Sequence, residues 1–342
     1  MTMAIFRSRS SAGTTPLDGV DVVLADLDGV VYKGADAIPH AVDSLNRAAA
    51  QNVRLGYITN NASRTDAAVA QQLTGFGLHV APEDVVTSPQ AAIRLLVELV
   101  PAGSNILVVG GEGLSTVVES AGFTVVRSAD DQPAAVIQGF APEIGWRDLA
   151  EASFALAGGD DGIPWVATNT DWTIPVQRGI APGNGTLVSA VHTAVGRLPV
   201  VAGKPEVAIF DEAKARFGAT HPIFIGDRLD TDVQGANKAG MDSVLVLTGI
   251  DHAKQLLAAT PDQRPTFILE DLRGLHEPYP AVESGRGGAT VVGGAAVRVN
   301  GTTVEIVREG DSGIDLLRAA CHAIWNSGLA IYALDVPERL YR

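Results

Sequence analysis

From Val20 onward the chain repeats one pattern: an apolar run ends in a polar or Gly-containing loop, and a stretch with helical spacing follows. Asp21–Ala25 reads as a buried strand, about Pro39 to Ala50 as a helix, Val53–Ile58 as a strand and about Thr65 to Gly75 as a helix. A strand–helix–strand–helix succession forces parallel strands, because each helix carries the chain back across a sheet face and covers it. The rhythm returns late in the chain, with strands at Pro222–Ile225, Ser243–Leu247 and Thr266–Leu269 and a helix from about Asp232 to Ala239. Between the two blocks, roughly residues 80 to 200 carry their own set: a helix near Gln90 to Val100, a strand at Asn105–Val109, and strands near Val136 and Val166.

At 342 residues the chain exceeds a typical single domain. The expected class is α/β: a parallel-sheet core with covered faces, a second α/β domain inserted into it and a small C-terminal ββα appendage. The expected core is 17–80 plus 200–280, the inserted domain 81–199 and the appendage 287–342. The appendage follows a Ser-Gly-Arg-Gly-Gly linker. Its two alternating segments, Ala289–Val299 and Thr302–Val307, are joined by Asn300-Gly301, a strong hairpin signal, and a helix from about Gly313 to Asn326 follows.

The formal charge of −14 repels nucleic acid and acidic membrane surfaces, and no Lys/Arg run offsets it locally. An anionic substrate then needs a metal ion or fixed backbone N–H groups. One cysteine, Cys321, excludes an intramolecular disulfide and a thiolate metal cluster and agrees with a reducing cytoplasm. No window holds the ~18 apolar residues of a spanning helix. The first 16 residues lack the apolar segment of a secretory signal and read as a short disordered tail.

Four segments at or beside strand ends carry the chemistry. In Asp26-Leu-Asp28-Gly29-Val30, an extended backbone puts Asp26 and Asp28 on one side, and two such carboxylates need a cation or a shared proton. An ordinary Asp-Gly turn is the plain alternative. Thr59-Asn60-Asn61 offers a hydroxyl, amides and free N–H groups before a helix, which suits an anion or a helix cap involving Ser63 or Thr65. Gly203-Lys204-Pro205 places a lysine before a helix. In Gly226-Asp227-Arg228-Leu229-Asp230-Thr231-Asp232, three acids in six residues call for a cation or a helix to cap; Asp227, nearest the strand end, is the ligand candidate. Gly111-Glu112-Gly113 meets only part of a dinucleotide-loop pattern, since Thr116 holds the third glycine position, and reads as a tight turn.

The ordered set resembles the four signature motifs of haloacid dehalogenase superfamily phosphatases, in the subclass of phosphoglycolate, glycerol 3-phosphate and p-nitrophenyl phosphate phosphatases. The resemblance covers about Leu17 to Leu275 and implies a doubly wound, Rossmann-like core sheet, with the inserted α/β domain, 81–199, as a cap domain. It implies that Asp26 is the nucleophile of an aspartyl-phosphate mechanism and Asp28 the acid and base. Asp26, the Asp28 carbonyl and Asp227 would hold Mg2+, with Asp232 supporting them from behind. Thr59, Asn60, Asn61 and Lys204 would bind the phosphate. Within the cap, Asn169, Asp171 and Arg178 resemble residues that face the substrate. Asp28 argues against a dehalogenase. The expected substrate is a small phosphorylated metabolite, glycerol 3-phosphate first, with phosphoglycolate or p-nitrophenyl and sugar phosphates as alternatives. A phosphotransferase and a metabolite sensor acting through the appendage stay open, as does pairing of copies through the cap or appendage.

Overall fold

The computed structural model describes residues 13–62, 64–176 and 178–342. Most of the expected N-terminal tail, and Ser63, lie outside them. Of the described residues, those up to Leu55 together with His221–Arg342 form one unit, and Gly56–Thr220 form the other.

In the first unit four parallel strands lie in the order Phe267–Leu269, Asp242–Val246, Pro222–Gly226, Val22–Ala25. All four residues of Val22–Ala25 are buried, as are four of the five in Pro222–Gly226 and in Asp242–Val246. This is why these strands read as unbroken apolar runs: a parallel sheet covered on both faces has no solvent side to mark with polar residues. Ala25 lies beside Ile225, so the residues following each strand emerge from the same end of the sheet. The helix Ala41–Ala50 buries Ala41, Ser44, Leu45 and Ala48, one stripe at helical spacing.

The helix expected from Asp232 to Ala239 is preceded by a π-type turn, Leu229–Val233, and is itself short, Gln234–Lys238. The wide turn forms because the Asp232 carboxylate accepts the N–H groups of Asp227 and Arg228, while the Val233 N–H reaches the Arg228 carbonyl at 3.0 Å.

The C-terminal segment adds two strands to the hairpin expected from sequence. Val282–Ser284, Thr290–Val292, Ala295–Asn300 and Thr303–Arg308 form an antiparallel sheet in chain order. The alternating run from Ala289 breaks at Gly293-Gly294, where Gly293 adopts φ +53°, and the chain folds back on itself. The helix Gly313–Ser327 starts at Ser312, whose side chain accepts the Asp315 N–H, and ends at Gly328 with φ +71°. Its buried face, including Leu316, Ala320 and Ile324, joins one apolar cluster with Val233, Leu245, Leu256 and Ile268. Buried Arg318 donates to the Ile268 carbonyl and to Asp315 and lies 4.3 Å over the Tyr279 ring.

In the second unit, Tyr57–Thr59 at the end of the strand Arg54–Thr59 pair in parallel with Val85–Thr87. A five-stranded parallel sheet runs Val200–Val201, Trp165–Ala167, Ala135–Gln138, Asn105–Val109, Thr124–Val126. Trp165 packs with Val136, Val188 and Val191 at its core. An antiparallel pair, Thr173–Val176 with Gly179–Pro182, was not foreseen, because Pro175, Gly179 and Pro182 interrupt its apolar pattern. Among the described residues no helix is long and apolar enough to cross a membrane.

Candidate active site

Asp26 directly follows Val22–Ala25, and its N–H donates to the Ile225 carbonyl at 2.8 Å, continuing the ladder by one residue. Because Pro222–Gly226 is the neighbouring parallel strand, Asp227 leaves the sheet beside Asp26. Carboxylate oxygens of Asp26, Asp227 and Asp232 all lie within 4.8 Å of one another. Exposure is 9% at Asp26, 2% at Asp227 and 1% at Asp232. Three ionised carboxylates at this spacing and burial repel one another strongly, and a cation between them removes that cost. The donors are all oxygen, the set that suits a hard divalent ion such as Mg2+.

Leu27 is fully buried, and Asp28, in the turn beyond the strand end, is exposed, whereas Asp26 is buried. Gly29 has φ +83°, and a Cβ there would stand 2.3 Å from Asp227 Oδ2, so conformation and space both demand glycine. Asp232 accepts the Asp227 and Arg228 N–H groups at 3.1 Å each, so it shapes the turn that carries Asp227. Asp230 instead pairs with Arg228 at 2.9 Å, where both are well exposed. Sequence reasoning passed over Asp251, whose Oδ2 accepts the Leu229 N–H at 2.7 Å. Burial pushes its carboxyl above the usual carboxylate value, opposed by that hydrogen bond. A lone acid after a Thr-Gly pair carries no sequence signal of this role.

The second unit holds the other candidates. Thr59 ends its strand nearly buried, at 4% exposure, and its hydroxyl accepts the Asn61 N–H at 3.1 Å. The Asn60 side chain is committed within the protein. Its Nδ2 donates to Asp171 Oδ1 and to the Lys204 carbonyl, each at 3.1 Å, and its Oδ1 accepts the Lys204 N–H at 2.8 Å. The Asn60 carbonyl accepts from Ser88 Oγ and from Asn169 Nδ2, both at 2.8 Å. Gly203 makes this approach possible, since a Cβ there would lie 2.6 Å from the Thr168 carbonyl and 2.7 Å from Asn60 Oδ1. Asn60, Lys204, Asn169 and Asp171 are therefore one hydrogen-bonded group, next to the Thr59–Asn61 hydrogen bond. Asn184, at the start of the helix Asn184–Val195, extends it by donating to the Asn169 carbonyl at 2.7 Å. Arg178 stands apart from this group, exposed in the turn of the antiparallel pair, with exposed Trp172 and Ile180 nearby in sequence.

Residues 23–124 match the family described as Haloacid dehalogenase-like hydrolase, and residues 201–275 match its HAD-hydrolase-like companion. The chain is 43% identical over 326 residues to the D-glycerol 3-phosphate phosphatase of Mycobacterium tuberculosis, covering 94% of this chain and 89% of that one. It is 36% identical to the glycerol-3-phosphate phosphatase of Gallus gallus over 70% of this chain and 83% of the relative. The crystal structure of the glycerol phosphate phosphatase of Mycobacterium tuberculosis in complex with magnesium matches with a TM-score of 0.85 at 40% identity. That match covers 95% of this chain and 96% of the other. The C-terminal sheet and helix thus fall inside the similarity to the mycobacterial protein. With an acid cluster suited to Mg2+ and similarity over nearly its whole length, the chain belongs to the haloacid dehalogenase-like hydrolase family.

Proposed function

We propose that this chain is a Mg2+-dependent phosphatase that hydrolyses glycerol 3-phosphate to glycerol and phosphate. The observation that carries the chemistry is the buried cluster of Asp26, Asp227 and Asp232, which needs a cation and stands beside the exposed Asp28. The substrate is supported by 43% identity across 94% of the chain to a D-glycerol 3-phosphate phosphatase.

Asp26 attacks phosphorus with a carboxylate oxygen, the bond from phosphorus to the glycerol oxygen breaks, and the phosphoryl group passes to Asp26 as an aspartyl-phosphate. Asp28 enters this step as the acid and gives its proton to the departing glycerol oxygen. Now ionised, it takes a proton from the water that attacks the aspartyl-phosphate, which releases phosphate and restores both groups. The exposure of Asp28 suits this exchange, since a group that alternates between acid and base needs access to the leaving group and to water.

Asp26, Asp227 and the Asp28 carbonyl would hold Mg2+, which when bound supplies positive charge that lets an anionic nucleophile approach an anionic ester. Asp232 keeps Asp227 in place through its two backbone hydrogen bonds. The Thr59 hydroxyl, the Asn60 backbone N–H, the Asn61 side-chain amide and the Lys204 ammonium would bind the phosphate oxygens and offset charge on the transferring group. The Asn60 side chain contributes indirectly, through the backbone of Lys204. Asn169 and Asp171 support the same loop, and Arg178, with Trp172, is a candidate to contact the alcohol portion of the ester.

The test is phosphate release from glycerol 3-phosphate, phosphoglycolate, sugar phosphates and p-nitrophenyl phosphate, with Mg2+, with EDTA, and with Asp26→Asn. The expected result is highest kcat/KM on glycerol 3-phosphate and loss of turnover in EDTA and in the variant. Unchanged turnover by Asp26→Asn would overturn the mechanism, and a stronger preference for another ester would overturn the substrate.

A further inference from the structure

The loop after the strand Asp242–Val246, residues 248 to 251, lies against both acid-bearing loops of the carboxylate cluster. Thr248 Oγ1 donates to the Gly29 carbonyl at 2.6 Å, fastening the loop that follows Asp26 and Asp28. The Ile250 N–H donates to Asp227 Oδ2 at 2.7 Å, and the Asp251 N–H to the Asp227 carbonyl at 3.0 Å. Asp251 Oδ2 accepts the Leu229 N–H at 2.7 Å, two residues beyond Asp227. Gly249 lets this backbone touch the ligand itself: a Cβ at that position would stand 1.9 Å from Asp227 Oδ2.

We infer that Thr248 and Asp251 are positioning residues that set the affinity of the site for its divalent cation, acting through Gly29 and Asp227. The physical reason lies in which atoms are held. The hydrogen bond to Oδ2 and the glycine packed on it stop rotation of the Asp227 carboxylate, and the contacts at its carbonyl and at Leu229 stop its backbone from withdrawing. Thr248 ties the Asp26–Gly29 loop to the same strap, so the spacing of Asp26 and Asp227 is fixed by a segment that supplies no ligand of its own. Groups that orient metal ligands in this way typically change affinity by about 10- to 100-fold when removed.

This inference rests on the metal site of the proposed phosphatase, and the experiment reads cation binding without substrate. Mg2+ is titrated calorimetrically into the metal-free full chain and into Asp251→Ala, Asp251→Asn, Thr248→Val and Thr248→Ser, with the Tm of each measured in EDTA. Asp251→Ala and Thr248→Val are expected to raise the Mg2+ dissociation constant about tenfold or more. Asp251→Asn and Thr248→Ser, which keep an oxygen able to make the same hydrogen bond, are expected to stay near the parent. Should one alanine or valine variant fail to fold, the other pair carries the test. Unchanged affinity in Ala and Val variants would overturn the inference. So would an Asn variant as weak as Ala, because charge rather than hydrogen bonding would then set the affinity. A parent chain that takes up no Mg2+ would overturn both this inference and the metal site. A parent that binds Mg2+ yet leaves glycerol 3-phosphate intact would overturn the activity alone.

Discussion

Asn60 Nδ2 donates to Asp171 Oδ1 at 3.1 Å across 111 positions of sequence, and the same amide grips the backbone of Lys204 through both its nitrogen and its oxygen. One asparagine thereby joins the loop after Arg54–Thr59, the loop after Trp165–Ala167 and the loop that carries the lysine.

Replacing Asn60 by Asp keeps the acceptor for the Lys204 N–H but removes both donated hydrogen bonds and sets a second carboxylate against Asp171. Two half-buried hydrogen bonds at about 1–1.5 kcal/mol each correspond to roughly a hundredfold loss in kcat/KM. The loss should be equal for glycerol 3-phosphate and p-nitrophenyl phosphate, since the shared phosphate end is disturbed. Steady-state kinetics on both esters check this, and a loss confined to one ester would contradict it.

Asp28→Asn separates the acid from the nucleophile. General acid catalysis contributes about 10²–10⁴-fold where the leaving group needs a proton. Glycerol needs one, whereas nitrophenolate departs as an anion. Turnover of glycerol 3-phosphate should therefore fall by far more than formation of the aspartyl-phosphate from p-nitrophenyl phosphate, which a single-turnover burst of nitrophenol measures.

Asp227→Asn should act in opposite directions with and without metal. In EDTA the variant relieves repulsion among three close carboxylates and is expected to melt above the parent, because its amide oxygen still accepts the Ile250 N–H. Mg2+ at a hundred times its dissociation constant should stabilise the parent by about 2.7 kcal/mol. The variant should show little of that gain in thermal melts.

His322 makes the first unit sensitive to acid. Burial holds its imidazole below the ordinary value of 6.5, and the nearby Arg264 adds to the effect. The folded state therefore binds the proton later than the unfolded chain as pH falls. Stability is full above pH 6.5 and declines below it until the folded-state value is passed. His322→Gln, which cannot titrate, should flatten the fall of Tm between neutral and mildly acidic pH. An unchanged slope would assign the acid sensitivity to other groups.

The order of apolar runs and helical spacings determined that the chain builds parallel sheets, because fully buried strands leave an unmistakable unbroken signature, as in Val22–Ala25 and Asp242–Val246. The residues at the ends of those runs named Asp26, Asp28 and Asp227, since chemistry in such sheets sits where strands stop. Local sequence was poorer where one residue serves another far away. The side chain of Asn60 reads as a phosphate ligand in a Thr-Asn-Asn motif, and only folding brings Asp171 and Lys204 to occupy it. Asp251 and Thr248 were invisible for the same reason, as their partners Leu229 and Gly29 lie 22 and 219 positions away. Likewise, the C-terminal hairpin was legible from Asn300-Gly301, but its fusion with the apolar face of Leu245 and Ile268 was not. Patterning along a chain specifies which face of an element is apolar, and only tertiary packing decides which other face it meets.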